Sequence, residues 1–275
     1  MEYSPIKFKE IIEKNEFNFK KFYGQNFIVD ENVINSIITK SEIDKNTMVI
    51  EIGPGAGSLT YKLASAAKNV LCYEIDTTLK PILDENLKKF KNIDIIYKDF
   101  LKCSIKKDLK NYDYKKLYVV ANLPYYITTP IILKIIEESI GVDKIVVMVQ
   151  KEVGNRFKAN PNTKDYSSLS VFIKYYFDVK KIMDVSKNVF MPKPNVDSIV
   201  VEFTSNESKY ELANSELFFK IVKDAFKQKR KTIKNNLKNY DLIKIEEILK
   251  KYNLDLNSRA EQLSIDIFVD IANNL

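Results

Sequence analysis

The chain has no histidine in its 275 residues. That removes Ser-His-Asp and Cys-His triads, zinc-bound water held by imidazole, and any histidine general base. Two cysteines, Cys72 and Cys103, are too few for a disulfide framework or a zinc cluster, so no metal site is expected. No apolar run approaches the roughly 18 residues that span a bilayer. The first twenty residues alternate charges with aromatics and lack the long apolar core of a secretion signal. A soluble, cytoplasmic protein is expected. Its chemistry must run on carboxylates, amides, backbone dipoles, lysine or a reactive cofactor.

What is present is ordinary globular usage, 45% hydrophobic and 29% charged, which argues against overall disorder. Lys plus Arg is 44 against 37 for Asp plus Glu, a formal charge of +7. Such a balance favours an anionic partner such as nucleic acid. Only Arg156, Arg230 and Arg259 are arginine, so the excess is lysine, and nucleotide composition alone can also produce that bias.

The first 24 residues read as a basic, aromatic arm. Phe8, Ile11 and Ile12 are spaced for one helical face, and Lys20-Lys21-Phe22-Tyr23-Gly24 breaks the pattern. A helix is expected over 30–40, with Asp30 as N-cap. From Thr47, apolar runs at 48–52, 70–75, 93–97, 117–121 and 145–149 alternate with helical patterns at about 58–67, 77–90 and 128–139. Alternation of this kind predicts a parallel sheet covered by helices on both faces. Two further strands are expected at 170–177 and 196–203, closing the sheet as an antiparallel edge pair. Polar residues 204–214 read as a linker, and helical patterns follow, including 241–252 and 264–273, the last with Ser264 as N-cap. The expected organisation is an arm (1–24), an α/β domain (25–205) and a small all-helical C-terminal domain (206–275).

The strongest local signal is Val49-Ile50-Glu51-Ile52-Gly53-Pro54-Gly55-Ala56-Gly57-Ser58, an apolar strand running into alternate glycines and then a helix. Glycines there permit a sharp turn and close approach of the backbone to a ligand. Twenty-one residues after Gly53, the second strand ends at Glu74, where a nucleotide ribose would lie. A dinucleotide fingerprint needs Gly or Ala three positions after its second glycine, and Ser58 and Thr60 stand there instead. The spacing resembles motif I of the class I S-adenosylmethionine methyltransferases, which implies a Rossmann-like sheet and S-adenosylmethionine as cofactor, with S-adenosylhomocysteine as product. By that resemblance Glu74 holds the ribose hydroxyls and Asp99, ending the third strand, lies beside the adenine amine.

The fourth strand ends in Ala121-Asn122-Leu123-Pro124-Tyr125-Tyr126. An adenine amine is a poor nucleophile because its lone pair is delocalised into the ring. Two acceptors aimed at its hydrogens, the Asn122 side-chain oxygen and the Leu123 carbonyl, pull the nitrogen toward tetrahedral geometry. Pro124 fixes the turn and pushes Leu123 into an extended conformation. Tyr125 offers a face on which an extruded base stacks, worth about 1–3 kcal/mol. No strong general base is needed, since the alkylated amine loses its proton to solvent. The stretch resembles motif IV, Asn-x-Pro-Tyr, of adenine-N6 RNA methyltransferases; the plain alternative is a turn with a capping Asn and a packed tyrosine.

Three more stretches narrow the resemblance. Tyr23-Gly24-Gln25-Asn26-Phe27-Ile28 resembles the Phe-Gly-Gln-Asn-Phe-Leu signature of bacterial 16S ribosomal RNA adenine dimethyltransferases (KsgA type), with Tyr23 and Ile28 departing mildly from it. The resemblance places Asn26 and Ile28 in the cofactor pocket, beside Gly53, Gly55 and Asn122. Val149–Val153 with Arg156 resembles the family's segment after the fifth strand. Phe190-Met191-Pro192-Lys193-Pro194-Asn195-Val196-Asp197-Ser198 resembles its Phe-x-Pro-x-Pro-x-Val-x-Ser loop. Phe190 either closes the second face of the target adenine opposite Tyr125 or packs in the core. The match runs from about residue 20 to the end. It implies dimethylation of two adjacent adenosines in the 3′-terminal hairpin loop of 16S ribosomal RNA, and a role in small-subunit biogenesis.

The run from Lys223 to Lys234 carries Lys223, Lys227, Lys229, Arg230, Lys231 and Lys234 against the single anion Asp224. As a basic helix beside an aromatic face it suits phosphate contact; as a lysine-rich surface it is merely solvated. The family resemblance favours contact with 16S rRNA in the immature small subunit, by a monomeric protein. Three other readings compete. A large-subunit (23S) adenine methyltransferase conferring macrolide resistance shares the fold, but usually has Ile where Leu123 stands. A non-catalytic ribosome assembly factor does not need the intact Asn122–Tyr125 stretch. A nicotinamide oxidoreductase fails at Ser58.

Overall fold

The computed structural model describes residues 5–15, 17, 19–20, 23–138, 140–206 and 209–275, with side chains in the first helix from Lys9 onward. Lys21, Phe22 and the side chain of Phe8, part of the expected arm, lie outside the described residues. Two compact units form, Met1–Gly154 with Lys180–Thr204, and Asn155–Val179 with Ser205–Leu275. No described helix is long and apolar enough to cross a membrane.

The first unit opens with α1 (Pro5–Lys14), β1 (Phe27–Ile28) and α2 (Glu31–Ser41). Asp30 caps α2 as expected, its carboxylate accepting from the backbone N–H groups of Asn32 and Val33. There follow β2 (Thr47–Ile52), α3 (Ser58–Ala66), β3 (Asn69–Glu74), α4 (Lys80–Leu87), β4 (Ile93–Tyr97), α5 (Ile105–Asp108), β5 (Lys116–Asn122), α6 (Thr128–Glu137) and β6 (Lys144–Gln150). The five strands expected between 48 and 149 each fall within one residue of their place; the one expected at 196–203 is observed two residues later, as Ser198–Ser205. The reason is burial: β2 is buried at every position, so it reads as a continuous apolar run rather than an alternation.

After α7 (Lys151–Phe157) and α8 (Ser168–Tyr176), the chain adds β7 (Phe177–Val185), β8 (Phe190–Met191) and β9 (Ser198–Ser205). The main sheet has the order β4-β3-β2-β5-β6-β9-β7. Strands β2 to β6 are mutually parallel, and β9 runs antiparallel to β6. From β2 the chain moves outward to β3 and β4, then returns to β5 on the other side. The carboxyl ends of β2 and β5 therefore flank a topological switch point, where open α/β sheets bind ligands. A separate pair joins β1 to β8, with Phe27 opposite Met191 and Ile28 opposite Phe190.

The second unit holds α8 with α9 (Ser215–Ala225), α10 (Ile233–Asn236), α11 (Leu242–Lys251) and α12 (Ile265–Asn274). The expected strand at 170–177 is a correction: most of it is α8. Ser167 and Ser170 form a reciprocal capping box that starts a helix. The aromatic residues that suggest a strand instead pack sideways, Phe172 and Tyr176 against Phe219 of α9 at ring distances of 5.1 and 6.0 Å. Residues 155–179 consequently belong with the helical unit, which a contiguous division at residue 205 does not capture. Ser264 stands at the N-cap of α12, but its hydroxyl bonds to Asp266 rather than to a helix N–H.

Because Ser167 satisfies a first-turn donor of α8, Ser167→Ala should lower the unfolding free energy by about 1 kcal/mol. Urea unfolding checks this; an unchanged midpoint would count against the helix.

Candidate active site

One cleft in the first unit gathers the carboxyl ends of β2 to β5. It is lined by Asn26, Ile28, Gly53, Gly55, Glu74, Asp99, Asn122, Leu123, Pro124 and Tyr125, along with Gln25, Phe27, Glu51, Ile75 and Tyr126. Ten residues singled out from the sequence thus converge, although they span almost a hundred positions of chain.

The glycine loop is shaped by contact as well as by turning. Gly55 has φ of +60°, and a Cβ there would lie 2.7 Å from the Phe27 ring. Only glycine admits both the conformation and the ring. Gly24 is similar, with φ of +59° and the Tyr126 ring 3.1 Å from a would-be Cβ. The Gly24–Asn26 stretch is further tied to the end of β3: the Gln25 amide donates to Asp76 at 2.7 Å, and the Lys20 ammonium donates to its other oxygen at 2.6 Å. Burial raises the Asp76 carboxyl, but bonds from Lys20, Thr78 and Gln25 outweigh it and hold the group below the usual carboxylate range.

Glu74 ends β3 and is almost fully buried. Its two oxygens accept from the backbone N–H of Asp76 at 2.8 Å and of Gly55 at 3.2 Å, so the acid spans from its own strand to the glycine loop. Burial nevertheless pushes its carboxyl up to about 7. Glu51, one strand over, is buried completely and is pushed up to about 8 by burial, although the Cys72 thiol donates to it at 3.6 Å. Asp99 follows β4 and caps the turn after it, accepting from Leu101 N–H at 3.0 Å.

Asn122 ends β5. Its side-chain amide donates to the Asn26 carbonyl at 2.8 Å. A carbonyl only accepts, so this bond fixes which end of the Asn122 amide is nitrogen. The other end, Oδ1, is buried and has no hydrogen-bond partner among the described residues. Leu123 N–H donates to the Met148 carbonyl on β6 at 3.1 Å, which pins the backbone there. Tyr125 shares a 2.7 Å hydrogen bond with the Ser198 hydroxyl, and burial raises its phenol. Tyr126 is 52% exposed at the mouth of the cleft.

Phe190 is a correction. It is 4% exposed, packs with Ile28, Ile34 and Val185, and does not line the cleft. Its place opposite Ile28 in the β1–β8 pair turns it into the core, so it offers no face to a base here. The basic run is corrected in shape: α9 ends at Ala225 and the chain turns until α10, so 223–234 is not one helix. Lys223, Lys227, Lys229, Arg230, Lys231 and Lys234 are all exposed in the second unit. Lys229 donates to the Lys164 carbonyl at 2.8 Å.

Sequence reasoning passed over Glu51 and Gln25 as site residues. Each stands inside a quoted motif, one as the acid two before Gly53 and the other between Gly24 and Asn26, and that placement was the available signal.

Residues 16–275 match the family described as ribosomal RNA adenine dimethylase. The chain is 47% identical to a Staphylococcus aureus (strain bovine RF122 / ET3-1) protein named ribosomal RNA small subunit methyltransferase A, over 98% of this chain and 93% of that one. Among solved structures it is similar to a dimethyladenosine transferase from Plasmodium falciparum, with a TM-score of 0.75 and 25% identity over 89% of this chain and 95% of that one. It is also similar to the 23S rRNA methyltransferase ErmE, with a TM-score of 0.72 and 25% identity over 91% of this chain and 99% of that one.

The neutral forms of Glu51 and Glu74 contribute stability that is complete below about pH 4.5, where the unfolded carboxyls are also protonated. It is lost as pH rises through about 7 to 8. Glu51→Gln, which stays neutral, should therefore gain on the wild type by a few kcal/mol between pH 5 and pH 9 in urea unfolding. Parallel pH profiles for the two proteins would contradict a raised Glu51.

Proposed function

The chain belongs to the ribosomal RNA adenine dimethylase family, and from that footing we propose that it methylates adenine N6 in small-subunit ribosomal RNA with S-adenosylmethionine as donor. The observation that carries the reading is the Asn122 amide, whose nitrogen is occupied by the Asn26 carbonyl while its buried oxygen waits for a donor.

The residues of the cleft fit that donor molecule. The Gly53 backbone leaves room for close approach, Gly55 lines the same wall, the Glu74 carboxyl suits ribose hydroxyls, and the Asp99 carboxylate suits an adenine amine; Asn26 and Ile28 complete the wall. When bound, S-adenosylmethionine supplies an electrophilic methyl group on a sulfonium. The protein's own part is geometric. Asn122 Oδ1 and the Leu123 carbonyl accept the two hydrogens of the target amine and localise its lone pair. The Tyr125 ring stacks the extruded base. Pro124 holds the turn between them. The proton released after transfer passes to solvent, so the lack of histidine is no obstacle. Orientation and lone-pair localisation supply most of the rate.

The target is two adjacent adenosines in the 3′-terminal hairpin loop, met in the immature small subunit in the cytoplasm by a monomer. The second unit acts as the RNA-binding part, with the exposed cations from Lys223 to Lys234 contacting phosphates. The likeness in fold to a 23S rRNA methyltransferase keeps large-subunit RNA as the competing substrate. Against it stands the higher identity to a relative named for the small subunit.

Incubation with labelled cofactor and immature small subunits, followed by mapping of the modified nucleotides, tests the reading. Label is expected in small-subunit RNA and not in large-subunit RNA; the reverse would transfer the protein to the competing substrate. Asn122→Ala should reduce kcat about a hundredfold, as loss of a preorganised polar contact to the reacting group does. Unimpaired turnover would remove the mechanism. Replacing Lys227, Arg230 and Lys231 together with alanine should weaken RNA binding and flatten its salt dependence, by roughly 0.7–0.9 in log–log slope per lost phosphate contact. Cofactor affinity, read by calorimetry, should stay unchanged.

A further inference from the structure

Tyr125 reaches the cleft from the loop after β5, and a tyrosine on a loop turns about χ1 and χ2 unless its far end is held. Its hydroxyl meets the Ser198 hydroxyl at 2.7 Å. Ser198 is a fixed anchor. It is fully buried, begins β9, and lies opposite Gln150 at the end of β6. The preceding residue is tied too: Lys151 N–H donates to the Asp197 carbonyl at 3.1 Å, and Lys187 N–H to its carboxylate at 3.0 Å.

Packing alone does not explain a serine there. The residues that follow, Ile199, Val200, Val201 and Phe203, are apolar and completely buried. A buried hydroxyl among them is unfavourable unless it makes a hydrogen bond, and the bond it makes is to Tyr125, an aromatic side chain that lines the cleft three residues after Asn122. Ser198 is also the last residue of the stretch that begins at Phe190, so the same segment that buries Phe190 in the core brings this hydroxyl to Tyr125.

We propose that Ser198 is a positioning residue for methyl transfer, holding the Tyr125 ring at the angle at which an extruded adenine presents its amine to Asn122 and Leu123. The proposal rests on the reading of the cleft as an adenine site. Ser198 does not itself line the cleft and acts only through Tyr125.

The test compares Ser198→Ala, Ser198→Thr, Tyr125→Phe and the Ser198→Ala/Tyr125→Phe double variant. The readouts are steady-state kinetics on small subunits, cofactor calorimetry, and NMR relaxation of 13C-labelled tyrosine, with the Tyr125 signal assigned by its loss in Tyr125→Phe. In Ser198→Ala, kcat should fall about tenfold, cofactor Kd should stay within about twofold, and the Tyr125 side chain should gain mobility. Ser198→Thr, which keeps the hydroxyl, should restore both kcat and order. In the Tyr125→Phe background, Ser198→Ala should change nothing further, because the bond is already gone. An undiminished kcat, an unchanged Tyr125 signal, or a further loss in that background overturns the proposal. Should the wild type fail to methylate small subunits, the proposed reaction falls, and the Tyr125 relaxation still decides the positioning.

Discussion

The bond from the Asn122 amide to the Asn26 carbonyl organises the cleft. It joins the end of β5 to the segment before β1, and it decides which atom of Asn122 is left over. An amide group buried with only one of its two ends paired is unfavourable, and such an orphan is tolerated where a ligand completes it. Everything nearby keeps that arrangement in place. Gln25 and Lys20 fasten the same segment to Asp76, Tyr126 lies against Gly24, and Phe27 lies against Gly55.

The sheet supplies the second constraint. Parallel strands all present their carboxyl ends on one edge, so Glu51, Glu74, Asp99 and Asn122 arrive together although they are far apart in sequence. Two of these carboxyls are buried enough to be raised toward neutrality. The cleft therefore carries less negative charge near pH 7 than its acids suggest, which lowers the repulsion a polyanion would meet there.

Much of this was legible in the sequence, for physical reasons that differ by element. The buried parallel strands announced themselves as unbroken apolar runs, and the glycine loop by its alternation. The Asn122–Tyr125 stretch was legible because its chemistry constrains residue type. Where the sequence misleads, tertiary contacts decide. The aromatics from Ser170 to Phe177 look like a strand until Phe219 is seen beside them. Phe190 looks like a stacking face until its register opposite Ile28 is known. Glu51 was hidden because its burial, and not its identity, makes it unusual. The division between units was hidden because residues 155–179 depart from the sheet between two of its strands.

That excursion bears on how the protein is made. Helix α8 emerges from the ribosome well before α9 and α12, the helices it packs against in its own unit. During synthesis its aromatic side, with Phe172 and Tyr176, lacks its partner Phe219 until the last quarter of the chain is being translated. A nascent polypeptide halted after β9 would display that side to solvent and to chaperones. Removing everything beyond residue 205 would thus strip α8 of the helices that shield it and leave a sticky remnant.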